Sequence, residues 1–89
     1  MIYKVEFTEH ALKDLKKLDK QTAALILGWI RKNLDGCENP RQHGKGLTSN
    51  RSGQWRYRIG DYRILAEIQD NVVTILILNV GHRREVYDK

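Results

Sequence analysis

The chain has 89 residues, 40% of them hydrophobic and 30% charged, the balance of one small globular domain and not of a disordered segment. Its one cysteine, Cys37, excludes an internal disulfide framework or a cysteine zinc cluster, and no apolar run approaches the roughly 18 residues of a membrane-spanning helix. Sixteen Lys and Arg against eleven Asp and Glu leave a formal charge of +5, and the excess sits in residues 36–66, where Arg41, Lys45, Arg51, Arg56, Arg58 and Arg63 face only Glu38 and Asp61.

In chain order, Ile2 to Phe7 alternates, with Lys4 and Glu6 set against Tyr3, Val5 and Phe7, which predicts a half-buried strand. Thr8 is the expected N-cap of a first helix, with Glu9 in the turn where the helix dipole favours an acid. Ala11, Leu12, Leu15 and Leu18 recur at helical spacing to about Asp19. A second helix starts near Lys20 or Gln21, carries Ala23, Ile26 or Leu27, Ile30 and Leu34 on one line, and stops at Gly36. Residues 36–54, rich in Gly, Ser, Asn and Pro, read as a loop that could hold a short strand. Trp55 to Ile59 alternates again, and Gly60-Asp61 is a two-residue hairpin turn with Tyr62 to Gln69 as the return strand. Asp70-Asn71 is a second turn, and Val72 to Val80 is the apolar, β-branched run of a central strand. The order is β-α-α followed by a three-stranded antiparallel meander. It predicts a single α+β domain over 1–89, a small sheet with a two-helix hairpin packed on it. The N-terminus lacks the build of a signal peptide, so a cytoplasmic protein without a membrane partner is expected.

The hairpin turn has a geometric consequence. It pairs Ile59 with Tyr62, Arg58 with Arg63 and Arg56 with Leu65, so Arg56, Arg58 and Arg63 fall on one face. Trp55, Tyr57, Ile59, Tyr62 and Ile64 fall on the other. Two Arg directly opposite repel one another. Such a face is either simply hydrated or a concavity for phosphate. The tail Gly81-His82-Arg83-Arg84-Glu85-Val86-Tyr87 adds an imidazole, two guanidiniums and a phenol within a few residues, the functional groups of proton transfer, phosphate neutralisation and base stacking. A charged tail with Val86 and Tyr87 docked on the core is the plainer alternative. Lys45, Arg51 and Arg84 are further basic groups suited to phosphate contacts. His10 and His43 lack a ligand partner at metal spacing and read as structural or surface positions, although His43 could approach the phosphate site from its loop. Trp29 and Trp55 read as packing residues, and Cys37 as incidental.

The segment Trp55-Arg56-Tyr57-Arg58-Ile59-Gly60-Asp61-Tyr62-Arg63-Ile64, the apolar strand, and Val80-Gly81-His82-Arg83-Arg84-Glu85-Val86-Tyr87 resemble the RelE branch of the RelE/ParE toxin superfamily. With the β-α-α start, the resemblance covers essentially the whole chain. It implies a RelE-like microbial RNase fold and a toxin neutralised by a RelB-like antitoxin. It further implies a metal-independent, cofactor-free endoribonuclease that cleaves mRNA in the ribosomal A site. The 2′-OH would attack phosphorus to give a 2′,3′-cyclic phosphate. The family's site residues fall on Arg56, Arg58, Arg63, Arg83 and Tyr87. At the first two, the best-known member has Lys. Arg stays protonated, so those two suit phosphate and not proton acceptance, which makes His82 a candidate base. The sequence ends two residues after Tyr87, so no further C-terminal helix is expected. A ParE-like DNA gyrase inhibitor without nuclease activity is the first alternative, and a non-toxic RNA-binding relative the second.

Overall fold

The computed structural model describes residues 1–46 and 54–82. Its elements are β1 (Lys4–Phe7), α1 (Glu9–Lys17), α2 (Lys20–Asn33), a 3-10 turn (Pro40–Gln42), β2 (Lys45–Gly46), β3 (Gln54–Ile59), β4 (Tyr62–Gln69), a second 3-10 turn (Asp70–Val72) and β5 (Thr74–His82). Thr8 caps α1 as its sequence position demands, its Oγ1 accepting from the Ala11 N–H at 3.0 Å. The first helix is shorter than its apolar spacing predicts. Leu18 leaves helical geometry because Asp19, expected as its last residue, instead caps α2, accepting from the Thr22 N–H and hydroxyl at 3.1 and 2.6 Å. In α2, Ile26 is the inward residue and Leu27 lies exposed, while Gly36 takes the left-handed conformation just past the helix end.

The strands form one mixed sheet in the order β1-β5-β4-β3-β2. The antiparallel β3-β4-β5 meander expected from sequence is its centre. The difference lies at the edges. β1 pairs in parallel with β5, Lys4 opposite Thr74 through Phe7 opposite Ile77, and β2 adds two residues beside β3. Local alternation cannot reveal a parallel pairing between segments this far apart in the chain. Both helices lie on one face of this α+β sheet and close a core of Ala11, Leu15, Ile26, Ile30 and Leu34 against Tyr57, Ile64, Ile75, Ile77 and Val80. The other face carries the arginines. Among the described residues, no helix is long and apolar enough to cross a membrane.

One polar cluster ties three connections together. The Tyr3 hydroxyl donates to Asp70 Oδ1 at 2.6 Å, and Arg41 clamps the same carboxylate with two bonds of 3.1 and 2.8 Å. One of the six basic residues of the middle segment is thus committed to the fold. The Arg41 guanidinium and then the Tyr3 hydroxyl hold the Asp70 carboxyl down to about 2. Because the native group is depressed, the unfolded chain binds the proton first. This contribution is whole above the ordinary carboxylate range of about 4 and is lost as pH falls toward the native value. We expect Asp70→Asn to flatten the acid limb of stability between those limits, read as melting temperature against pH. An unchanged limb would show that the cluster does not couple to unfolding.

Candidate functional site

The site is built on the β3–β4 hairpin. The register is the one the two-residue turn dictates: Ile59 opposite Tyr62, Arg58 opposite Arg63, Arg56 opposite Leu65. Gly60 supplies the positive φ of +57° that the turn requires. Tyr57, Ile59 and Ile64 are buried beneath the helices, so the pleat directs Arg56, Arg58 and Arg63 to the opposite face. Arg58 is exposed, and Arg56 and Arg63 are half-buried.

The strand that delivers the C-terminal residues carries an irregularity that local sequence does not show. Between β4 and β5, Leu65 faces Asn79 while Ala66 faces Ile77, so Leu78 is an extra residue, a β-bulge. α1 holds it: the Thr8 hydroxyl donates to the Leu78 carbonyl at 3.1 Å, and Asp14 accepts the Val80 N–H at 3.0 Å. An extra residue exchanges the faces of everything after it. Val80 therefore enters the core opposite Ile64. Gly81 lies opposite Arg63, where it adds no side chain beside the guanidinium, and His82 lies opposite Tyr62. The His82 and Tyr62 rings meet edge-on with centroids 5.7 Å apart. His82 is thus placed on the face away from the three arginines.

At the β2 edge of the sheet, where that strand begins, a cleft of about 440 Å³ is lined by Trp29, His43, Gly44, Lys45, Arg56 and Arg58. Tyr57, inward-facing between the two arginines, organises its wall. The buried Tyr57 hydroxyl donates to the Pro40 carbonyl at 2.6 Å, and burial raises its pKa. Trp29 packs on Tyr57 at 5.7 Å between centroids, and His43 packs edge-on against Trp29 at 5.6 Å. The Trp55 indole N–H donates to the His43 carbonyl. Gly44 has a φ of +77°, and a Cβ there would lie 2.2 Å from the Arg56 carbonyl oxygen, so only glycine lets the loop approach β3 this closely.

The structure therefore brings Arg56, Arg58 and Arg63 to one face and adds Lys45 beside the first two. Arg51, Arg83, Arg84 and Tyr87 lie outside the described residues. His43, read as structural or surface but able to approach the phosphate site from its loop, lines the same cleft as Arg56 and Arg58. The only sequence signal for this was its position two residues before Lys45, in a stretch able to pair with β3.

Residues 5–87 match the family model described as the ParE toxin of type II toxin–antitoxin systems, parDE. Toxin RelG of Mycobacterium tuberculosis is 36% identical over 87 residues, 98% of each chain. Toxin RelE of the same organism is 31% identical over 85 residues, covering 96% of this chain and 86% of that protein. The crystal structure of the toxin–antitoxin complex RelBE2 from Mycobacterium tuberculosis contains a chain that superposes with a TM-score of 0.84 at 35% identity, covering 93% of both chains. The isolated Escherichia coli RelE toxin shares the fold, with a TM-score of 0.70 at 20% identity over 90% of this chain and 83% of that one.

Proposed function

The chain belongs to the RelE/ParE superfamily of type II toxin–antitoxin toxins, and from that premise we propose that it is a ribosome-dependent endoribonuclease acting on mRNA in the A site. The observation that carries this reading is the face that gathers Arg56, Arg58 and Arg63 on paired strands beside a polar cleft. The pairing sets two planar guanidinium groups opposite one another on this face, and such forks suit the oxygens of a phosphate.

In the proposed reaction, the RNA 2′-oxygen attacks the adjacent phosphorus and the 5′-oxygen departs, leaving a 2′,3′-cyclic phosphate and a 5′-OH. Negative charge accumulates on the equatorial oxygens of the phosphorane. Arg63, on the middle strand, and Arg83 take that charge. Arg56 and Arg58 hold the flanking backbone in line with the attack, with Lys45, Arg51 and Arg84 extending the phosphate track. Tyr87 stacks on a base or handles a proton. The chemistry asks for no metal or cofactor. The ribosome supplies most of the substrate positioning, so free RNA is a poor substrate. The setting is cytoplasmic. The partner is a RelB-like antitoxin whose acidic or amphipathic segment covers the basic face and competes with RNA for it.

Primer extension on a defined mRNA, with and without programmed ribosomes, tests the reading. We expect cleavage within the A-site codon only when ribosomes are present. Cleavage of the free message at a comparable rate would overturn ribosome dependence. The ParE description of the matching family favours one second reading, inhibition of DNA gyrase without nuclease activity. Absence of cleavage together with inhibition in a supercoiling assay would establish that instead.

A further inference from the structure

The proposed reaction needs a group to remove the 2′-OH proton. Arg56, Arg58 and Arg63 stay protonated at any physiological pH, so they stabilise charge without taking a proton. Imidazole is the side chain suited to proton acceptance near neutrality. The chain has three histidines, and the fold sends them to three different places. His10 projects from α1 beside Asp14, 3.5 Å away, and lines a separate cleft with Lys17, Asn79 and Gly81. His82 packs edge-on against Tyr62, on the face away from the arginines. His43, among the described residues, is the one that lines a cleft with Arg56 and Arg58.

We propose that His43 is the general base of the cleavage, an assignment that rests on the nuclease reading above. Its position is fixed at both ends. The Trp55 indole holds its carbonyl, and Trp29, itself seated on Tyr57, backs its ring at 5.6 Å. Gly44, the next residue, lies close against the Arg56 carbonyl. The residue is half-buried, so the ring is supported on one side and accessible from the cleft on the other. The cleft volume, about 440 Å³, lies within the range of roughly 300–1,000 Å³ typical of small-ligand sites. Among the described residues, the charged groups lining it are Lys45 from β2 and Arg56 and Arg58 from β3; α2 contributes the uncharged Trp29, and no carboxylate is among them. In this assignment Arg56 and Arg58 hold the flanking backbone along the cleft that His43 lines, and the 2′-OH beside the scissile phosphate is presented to the imidazole.

The step balances without a further reactant. The neutral imidazole takes the 2′-OH proton as the 2′-oxygen bonds to phosphorus. The P–O5′ bond breaks, and the departing oxygen takes a proton from water. The imidazolium then returns its proton to solvent.

The test is single-turnover cleavage on programmed ribosomes as a function of pH, for the wild type, His43→Gln, His43→Ala and, as a control histidine, His10→Ala. The wild-type rate is expected to rise through an acid limb in the ordinary histidine range, about 6–7, and then level off. His43→Gln is expected to cut about 10²–10⁴-fold more slowly and to lose that limb, while binding ribosomes as well as the wild type. Added imidazole should restore cleavage to His43→Ala. His10→Ala should keep both rate and limb. A His43→Gln enzyme that retains the limb, whatever its rate, assigns the residue to positioning and overturns the proposal. Loss of the limb on His82→Ala, with His43→Gln unaffected, overturns it as well. A wild type that cuts no mRNA removes the nuclease reading, and this assignment with it.

Discussion

Arg63→Ala should lose about 10²–10³-fold or more in mRNA cleavage, and with it the ability to arrest growth, while the protein stays folded. The reason is its place in the sheet. Arg63 sits on the middle strand, with Arg58 across one side and Gly81 across the other. The residue is half-buried and lies opposite a glycine, which adds no side chain beside it, and its planar fork suits a phosphate. Truncation removes a group whose proposed work is confined to the transition state, so the turnover rate should fall and ribosome affinity should fall little. The truncation also removes a half-buried side chain, so a thermal melt separates lost catalysis from lost fold. Arg63→Lys keeps the charge and loses the fork, and should lie between the two. The measurement is single-turnover cleavage paired with a thermal melt. An Arg63→Ala protein that cuts at the wild-type rate would show that the phosphate does not bind at this face.

The largest expected effect on stability is at Tyr57. This residue is fully buried and touches both the helical layer and the loop. Tyr57→Ala should lose about 3–5 kcal/mol, because an aromatic ring is removed and close-packed neighbours collapse only in part. A domain this small has about 5–15 kcal/mol in total, so the variant should be near its unfolding threshold at body temperature. Tyr57→Phe separates the ring from the hydroxyl. It leaves the Pro40 carbonyl buried without its donor, at an expected loss of about 1–3 kcal/mol. That loosening falls on the segment that carries His43 and Lys45, so the Phe variant should lose more cleavage activity than its fraction unfolded explains. Urea titration of both variants beside their cleavage rates decides the matter. A Phe variant as stable and active as the wild type would show that the hydroxyl does not anchor the loop.

The arginine face was legible in the sequence because everything needed to place it is local. Gly60-Asp61 admits a two-residue turn, the turn sets the register, and the pleat then assigns Arg56, Arg58 and Arg63 to one face and Tyr57 and Ile64 to the other. Thr8 as a cap was legible for the same reason: a hydroxyl at a helix start finds its acceptor role within three residues. The full meaning of Thr8 was not, since its hydroxyl also donates to Leu78, 70 residues away.

What only the tertiary structure decided follows from contacts between distant segments. The apolar run of β5 reads alike with or without a bulge. Only α1, by holding Leu78 and Val80, inserts the extra residue that turns His82 from the arginine face to Tyr62 and puts Gly81 beside Arg63. Arg41 counts as part of the basic excess in the sequence, yet Asp70, 29 residues on, claims it for the fold. His43 in isolation is a loop histidine. It reaches the arginine cleft because Trp55, Trp29 and a left-handed Gly44 draw its segment against β3. Periodicity and turn chemistry, which act over a few residues, determined the class of fold and the arginine face. The relation of that face to the chain's imidazoles depended on long-range packing, which no local pattern encodes.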